Sequence, residues 1–85
     1  MGVDHTDKIK VTVNVSAGFR EHYSHLEDRQ TIELEQPETV ENIISRLGIS
    51  SRMVLMATID GRIVDKKTLI KQSCEINLVS PPAGG

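Results

Sequence analysis

The chain has 85 residues, which is enough for one small domain and too few for two domains with a cleft between them. With no Trp, one Tyr and one Phe, the core must be aliphatic, and few rings are available to stack on nucleobases. The net charge of −2 also argues against nucleic-acid binding. The single cysteine cannot form an internal disulfide, no secretory leader is visible, and no apolar run approaches a membrane span, so a cytoplasmic protein without a membrane partner is expected.

The first half of the chain predicts a hairpin with a long connection. Residues 1–7 are polar and unpatterned, and we expect a flexible N-terminus. Apolar and polar residues alternate from Ile9 to Val15 and again from Gln30 to Glu35, which is typical of two half-buried strands. The polar segment Ser16–Asp28 between them is compatible with a short helix or with an ordered loop.

The pattern then changes to that of a helix over Thr39–Leu47. Its apolar residues recur at helical spacing and form one stripe. Thr39 is a suitable N-cap, and Gly48 is the usual left-handed residue just past a helix end.

The second half returns to strands. Met53–Ile59 is apolar almost throughout and predicts a central strand covered on both faces. Asp60-Gly61 is a hairpin turn signal, because both positions of a type I′ turn need positive φ. Arg62–Val64 follows as the short return strand.

The order of elements defines the predicted fold. A connector over Lys66–Gln72, with Leu69 as its inward anchor, leads to a last strand over Cys74–Val79. One amphipathic helix needs one sheet face, so the prediction is an α+β fold, the β-grasp or ubiquitin-like roll. Its mixed sheet of four to five strands packs on one main helix, and the first and last strands pair in parallel at the centre. The domain would span 8–79, and a flexible tail would span 80–85.

Catalytic and metal-binding motifs are scarce. There is no CxxC pair and no glycine-rich phosphate loop. His22 and His25 lack further ligands, so a solvated polar segment is favoured over a metal site. Cys74 alternates with buried-type residues, so a core position is favoured over a nucleophile paired with histidine. An exposed acidic edge is predicted at Glu33, Glu35 and Glu38.

The C-terminus offers a different kind of chemistry. Pro81 and Pro82 lack N–H donors and end the ladder, and Ala83, Gly84 and Gly85 carry almost no side chain. Such a tail fits a narrow channel in another protein and presents a bare α-carboxylate at its tip. Once adenylated by ATP, that carboxylate can be attacked by a sulfur nucleophile or an amine, with no catalytic residue required on this chain.

With this tail, the sequence resembles the MoaD/ThiS family of sulfur carrier proteins. The resemblance rests on three segments: 39–47, the hairpin 59–64 with 67–69, and the terminal 76–85. It implies that Gly85 is adenylated by an E1-like adenylyltransferase and becomes a thiocarboxylate that donates sulfur. Gly84 matches the penultimate glycine of the family, and Pro81, Pro82 and Ala83 match the lead-in that would thread the partner's active site.

The resemblance also implies partners. The long 17–29 segment and the Pro-Pro pair are more similar to the small subunit of molybdopterin synthase than to thiamine thiazole carriers. The acceptor would be the large subunit of molybdopterin synthase, or otherwise thiazole synthase. The carrier would be a monomer when free, with no bound cofactor or metal, and ATP would be used by the partner. A carrier for tRNA thiolation, a ubiquitin-like modifier joined to lysines through Gly85, and a plain binding module are the alternatives.

An apolar partner surface is expected near the tail. The face of the Met53–Ile59 strand that includes Val54 and Met56 would be left exposed, or would instead pack under 17–28. Both arrangements remain open at this point.

Overall fold

The structure is a computed structural model and describes residues 8–81. The predicted flexible N-terminus over 1–7 lies outside this range, as do Pro82, Ala83, Gly84 and Gly85 of the predicted tail. The boundaries predicted for these two segments therefore stay predictions.

Within residues 8–81 the chain forms two sheets, two α-helices and one 3-10 helix. In chain order the elements are β1 (Ile9–Val15), α1 (Ala17–His22), β2 (Arg29–Leu34), β3 (Glu38–Thr39), α2 (Val40–Arg46), the 3-10 helix (Ser51–Met53), β4 (Met56–Ile59), β5 (Arg62–Val64), β6 (Leu69–Ile70) and β7 (Cys74–Val79). The main sheet has five strands in the spatial order β2-β1-β7-β4-β5, and β3 pairs with β6 in a separate ribbon.

The pairing of the first and last strands confirms the predicted topology. β1 and β7 run in parallel, with Val13 opposite Ile76, while β2, β4 and β5 join antiparallel to their neighbours. β7 lies at the centre of the sheet. A mixed five-stranded sheet packed on one main helix is the β-grasp, or ubiquitin-like, fold that the element order predicted.

Helix α2 follows its sequence signals closely. Thr39 Oγ1 accepts the backbone N–H of Asn42 at 3.1 Å, and Gly48 has a φ of +76° just beyond the last turn. Its apolar stripe is fully buried at Val40, Ile43 and Ile44. In the described range no helix has both the length and the apolar content to cross a membrane.

The core is aliphatic apart from one aromatic ring. Removing apolar surface from water stabilises the fold by about 25 cal/mol per Å². No polar or charged residue is buried within 8–81. The largest fully buried side chains are Phe19, Leu34, Ile43, Ile44, Ile76, Leu78, Val11, Val13 and Val40.

The segment between β1 and β2 is partly helical, which resolves an alternative that the sequence left open. Phe19 and Leu26 enter the core from it. The Tyr23 hydroxyl accepts the backbone N–H of Ser50 at 3.2 Å, and His25 Nε2 lies 2.9 Å from the carbonyl oxygen of Leu47. These contacts fasten the segment to the end of α2.

Two sequence predictions about the second half were wrong in detail. The strand predicted over Met53–Ile59 begins only at Met56, because Ser50 caps a 3-10 helix over Ser51–Met53. That strand is internal to the sheet, between β7 and β5, but it is not covered on both faces, because Met56 and Thr58 are partly exposed. In the connector the inward anchor is Ile70, which is 2% exposed, whereas Leu69 is 46% exposed.

Candidate functional site

Hydrogen bonds hold the root of the tail, where β7 ends. The carbonyl of Leu78 accepts the N–H of Ser16 at 3.2 Å, and the carbonyl of Val79 accepts the N–H of Leu55 at 2.8 Å. The N–H of Ser80 donates to Ser16 Oγ at 3.2 Å. Pro81 follows without an N–H and is exposed, so the backbone pairing ends there, as its sequence predicted.

Apolar side chains are exposed beside this root. Leu55 is 60% exposed and Ile63 is 73% exposed. Met56 faces Val79 across the β4–β7 pair, and both are partly exposed. Ile63 lies on the same outer face of the sheet, diagonal to Met56 and opposite Thr58. We call Leu55, Met56, Ile63 and Val79 the exit patch.

The exit patch corrects part of the surface that the sequence predicted. Val54 is only 3% exposed and belongs to the core, so the exposed arrangement, one of the two left open by the sequence, does not hold for it. Leu55 is exposed in its place, because the 3-10 helix turns the chain just before the strand begins and shifts the inside-outside alternation. Met56 remains on the outer face, and its role in binding a partner stays a prediction. Ser50-Ser51, two residues that favour helix starts, was the signal for this turn.

Polar groups cover the middle of the same outer face. Asn14 Nδ2 donates to Glu75 Oε2 at 2.5 Å and to Asn77 Oδ1 at 2.9 Å. Asn77 Nδ2 in turn donates to Thr58 Oγ1 at 3.4 Å. This chain of hydrogen bonds runs from β1 across β7 to β4 and bounds the exit patch on one side.

The lone cysteine lies at the opposite end of β7. Cys74 is partly buried against the core, as its alternation with Ile76 and Leu78 indicated. Burial raises the pKa of the Cys74 thiol, and the nearby Asp60 carboxylate raises it further. The thiolate is therefore scarce at neutral pH, and the thiol is a poor nucleophile.

Two of the remaining polar candidates, His25 and Glu38, are engaged in the fold. The ring of His25 is held at the Leu47 carbonyl. Among residues 8–81, no three side chains of His, Cys, Asp or Glu come together as a metal site would require. Glu38, predicted on an exposed acidic edge, is instead half-buried and forms a two-bond ion pair with Arg46 at 2.7 and 3.1 Å.

The fold and the tail root together define a small β-grasp domain of the ubiquitin-like class. The family model of the ThiS family matches residues 13–85, a range that includes β7 and the terminal glycines. The chain therefore belongs to the ThiS family, a family of sulfur carrier proteins.

Solved structures share the fold at low sequence identity. A candidate molybdopterin converting factor subunit 1 from Pyrococcus furiosus superposes with a TM-score of 0.65 at 19% identity, covering 87% of this chain and 99% of its own. The HVO 2177 protein of Haloferax volcanii superposes with a TM-score of 0.69 at 18% identity, covering 100% of this chain and 94% of its own. No curated protein matches the sequence significantly.

Proposed function

We propose that this protein is a sulfur carrier that works through the carboxylate of Gly85. The observation that carries the proposal is the match to the ThiS family, which runs through Gly84 and Gly85 at the chain end. The geometry at β7 supports it, because the chain leaves the sheet at an exposed Pro81 beside an apolar surface. The folded domain would then be the part that partner proteins bind, while the reaction takes place at the C-terminus.

The proposed chemistry has two steps at the terminal carbonyl carbon. A carboxylate oxygen of Gly85 attacks the α-phosphorus of ATP, and pyrophosphate leaves. A hydrosulfide equivalent then attacks the carbonyl carbon of the acyl-adenylate, AMP leaves, and a proton is released. The product is a terminal thiocarboxylate, whose sulfur is passed to an acceptor.

The catalytic groups for these steps would belong to partner proteins. An E1-like adenylyltransferase would bind ATP and the tail, and Pro81, Pro82, Ala83 and Gly84 would thread its active site because their small or rigid side chains fit a narrow channel. The raised pKa of Cys74 and its distance along β7 from the tail root support a role for this chain as co-substrate without a catalytic residue.

The exit patch is the proposed docking surface for the adenylyltransferase. Leu55 and Ile63 expose large apolar side chains, and exposed apolar surface of this kind often marks an interface. The patch also adjoins the tail root through the Leu55–Val79 hydrogen bond. A partner seated on it would receive the tail directly.

For the acceptor we propose molybdopterin synthesis, with its synthase large subunit as the partner, and thiazole synthesis as the next candidate. The Pyrococcus furiosus structure, described as a candidate molybdopterin converting factor subunit, supports the first of these. Because the chain matches the ThiS family, thiazole synthesis is the second pathway to be tested.

The test is intact-mass analysis after incubation with ATP, a sulfide donor and E1-like enzymes. The expected product has one oxygen replaced by sulfur at Gly85. A variant with one glycine appended after Gly85 keeps the fold and moves the carboxylate by one residue, so it should remain unmodified. Isopeptide-linked adducts on lysines would favour the modifier alternative, and an unmodified wild-type chain would contradict both. Sulfur transfer to each of the two acceptors then identifies the pathway.

A further inference from the structure

The start of α1 carries a side chain that its helix does not use. Ser16 occupies the N-cap position of α1 in an extended conformation, yet its hydroxyl makes no hydrogen bond to the helix. Serine at this position ordinarily accepts an N–H of the first turn. Here Ser16 Oγ instead accepts the N–H of Ser80 at 3.2 Å and lies 3.1 Å from Ser80 Oγ.

A glycine in the first turn of α1 makes room for this contact. A Cβ at position 18 would overlap Ser80 Oγ, and it would lie 3.4 Å from Ser80 Cβ. Gly18 does not have a positive φ, unlike Gly48 and Gly61, so its backbone conformation does not call for glycine. Glycine is also a poor residue within a helix. The space it leaves for Ser80 is the physical reason for a glycine at this position.

These contacts fix three successive residues of the main chain. The Leu78 carbonyl is held by Ser16 N–H, the Val79 carbonyl by Leu55 N–H, and the Ser80 N–H by Ser16 Oγ. The next residue is Pro81, whose ring fixes its own φ and restricts the residue before it. The orientation of Ser80 therefore determines the direction in which the chain leaves the domain.

We propose that Ser16, Gly18 and Ser80 form a latch that positions the C-terminal tail for the activating enzyme. This inference rests on the proposed function and adds positioning residues to it. With the latch closed, the enzyme meets the tail root in one orientation, and less conformational freedom is lost on binding. The latch therefore acts on the binding of the carrier, through KM, and leaves the chemistry at Gly85, measured by kcat, unchanged.

Hydrogen exchange in the full-length chain tests the contact without any enzyme. In Ser16→Ala, the Ser80 amide should exchange roughly two- to tenfold faster, the range implied by the net contribution of one hydrogen bond. The Ile76 amide in the middle of β7 should be unchanged and serves as the internal reference. Ser16→Thr keeps a hydroxyl and should restore the slow exchange. An unchanged Ser80 amide in Ser16→Ala would overturn the latch.

Kinetics with the E1-like enzyme test the positioning role. ATP–pyrophosphate exchange should show a roughly two- to tenfold higher KM for Ser16→Ala, with kcat unchanged and with Ser16→Thr close to wild type. A purely structural defect would also raise the apparent KM, by lowering the folded fraction of the carrier, so KM is calculated on the concentration of folded carrier measured by circular dichroism. Faster exchange of the Ser80 amide with an unchanged KM would overturn the positioning role.

Variants of Gly18 test the latch independently of Ser16. Gly18→Ala should turn the Ser80 hydroxyl away from Ser16 and raise KM, while the thermal midpoint stays the same or rises because alanine favours the helix. Removing the hydroxyl in the double variant Gly18→Ala/Ser80→Ala relieves the overlap, so its KM should equal that of Ser80→Ala alone. Additive effects in the double variant would contradict the latch.

Failure of the wild-type chain to be adenylated would refute the proposed function and with it the positioning role, whereas the amide exchange tests the contact in either case.

Discussion

The two α-helices begin with almost the same backbone and use it differently. Thr39 has φ −76° and ψ 159°, Ser16 has φ −72° and ψ 161°, and each has a hydroxyl at the N-cap position. The Thr39 hydroxyl caps its own helix by accepting the N–H of Asn42, whereas the Ser16 hydroxyl contacts Ser80 at the tail root. The residue type at the N-cap therefore does not by itself determine which N–H the hydroxyl accepts. The segment packed beside the helix start determines it.

The difference separates a helix that stabilises the body from one whose N-cap residue contacts the tail root. α2 places Val40, Ile43 and Ile44 in the core with no exposed surface, while α1 contributes one buried side chain, Phe19. Variants in α2 should therefore change the free energy of unfolding. Variants at the start of α1 should change the behaviour of the tail.

The largest expected effect is the loss of stability caused by a core variant in α2. Ile44→Ala removes most of a fully buried side chain and should lower the free energy of unfolding by about 2–5 kcal/mol. Urea denaturation followed by circular dichroism measures this change. Adenylation per folded molecule should be unchanged when measured well below the midpoint. A specific loss of adenylation in the folded protein would show that α2 also serves the tail.

A smaller effect is expected at the exit patch, on the tail side. Leu55→Glu places a charge on a surface proposed to be desolvated by the adenylyltransferase, and should raise KM roughly tenfold or more, as for an interface hot spot. Stability should change little, since Leu55 is 60% exposed.

Leu69→Glu is the matched control for that variant. Leu69 is also an exposed leucine, at 46%, but it lies on β6, away from the tail root. Its KM should stay at the wild-type value. Equal effects of the two variants would contradict docking at the exit patch and would indicate a nonspecific charge effect.

Local sequence signals predicted the parts of the fold that local physics determines. The Thr39 cap, the buried stripe of α2 and the Asp60-Gly61 turn, with φ values of +50° and +89°, follow from residues within a few positions of one another. The parallel pairing of β1 with β7 followed because one helix covering one sheet leaves few topologies.

The incorrect predictions share a different cause. At 54–55 and 69–70 two apolar residues stand side by side, and which one faces the core depends on a pairing or turn elsewhere. Ile70, opposite Glu38 in the β3–β6 ribbon, is buried, whereas Leu69, opposite Thr39, is exposed. The Ser16–Ser80 contact joins residues 64 positions apart, so no local pattern could indicate it.

The two capping positions themselves give the sharpest comparison. Thr39→Ala should cost about 1 kcal/mol of stability, the usual effect of losing a helix cap. Ser16→Ala should cost less, because its hydroxyl caps no helix. Thermal unfolding of both variants under one set of conditions measures the difference. Equal losses would indicate that Ser16 supports α1 as Thr39 supports α2.

The smallest effect concerns the thiol at the far end of β7, which reports on the body alone. Burial and the Asp60 carboxylate raise the pKa of Cys74, so alkylation by iodoacetamide should be slow at neutral pH, and its rate should level off only at a pH above the usual pKa of a thiol. Because the folded pKa exceeds the unfolded one, this thiol adds stability that is fully present below the unfolded pKa and is lost as pH rises through the folded pKa.

Asp60→Asn should lower the pKa of Cys74 slightly, since it removes the lesser of the two causes and keeps a side-chain oxygen that can accept the Glu75 N–H. Ser16→Ala and Gly18→Ala should leave the alkylation profile unchanged, because the latch lies at the other end of the strand. Ile44→Ala should accelerate alkylation by opening the core more often. If the latch variants also accelerated it, the tail root and the body would be one cooperative unit, and the division between the two helices would be wrong.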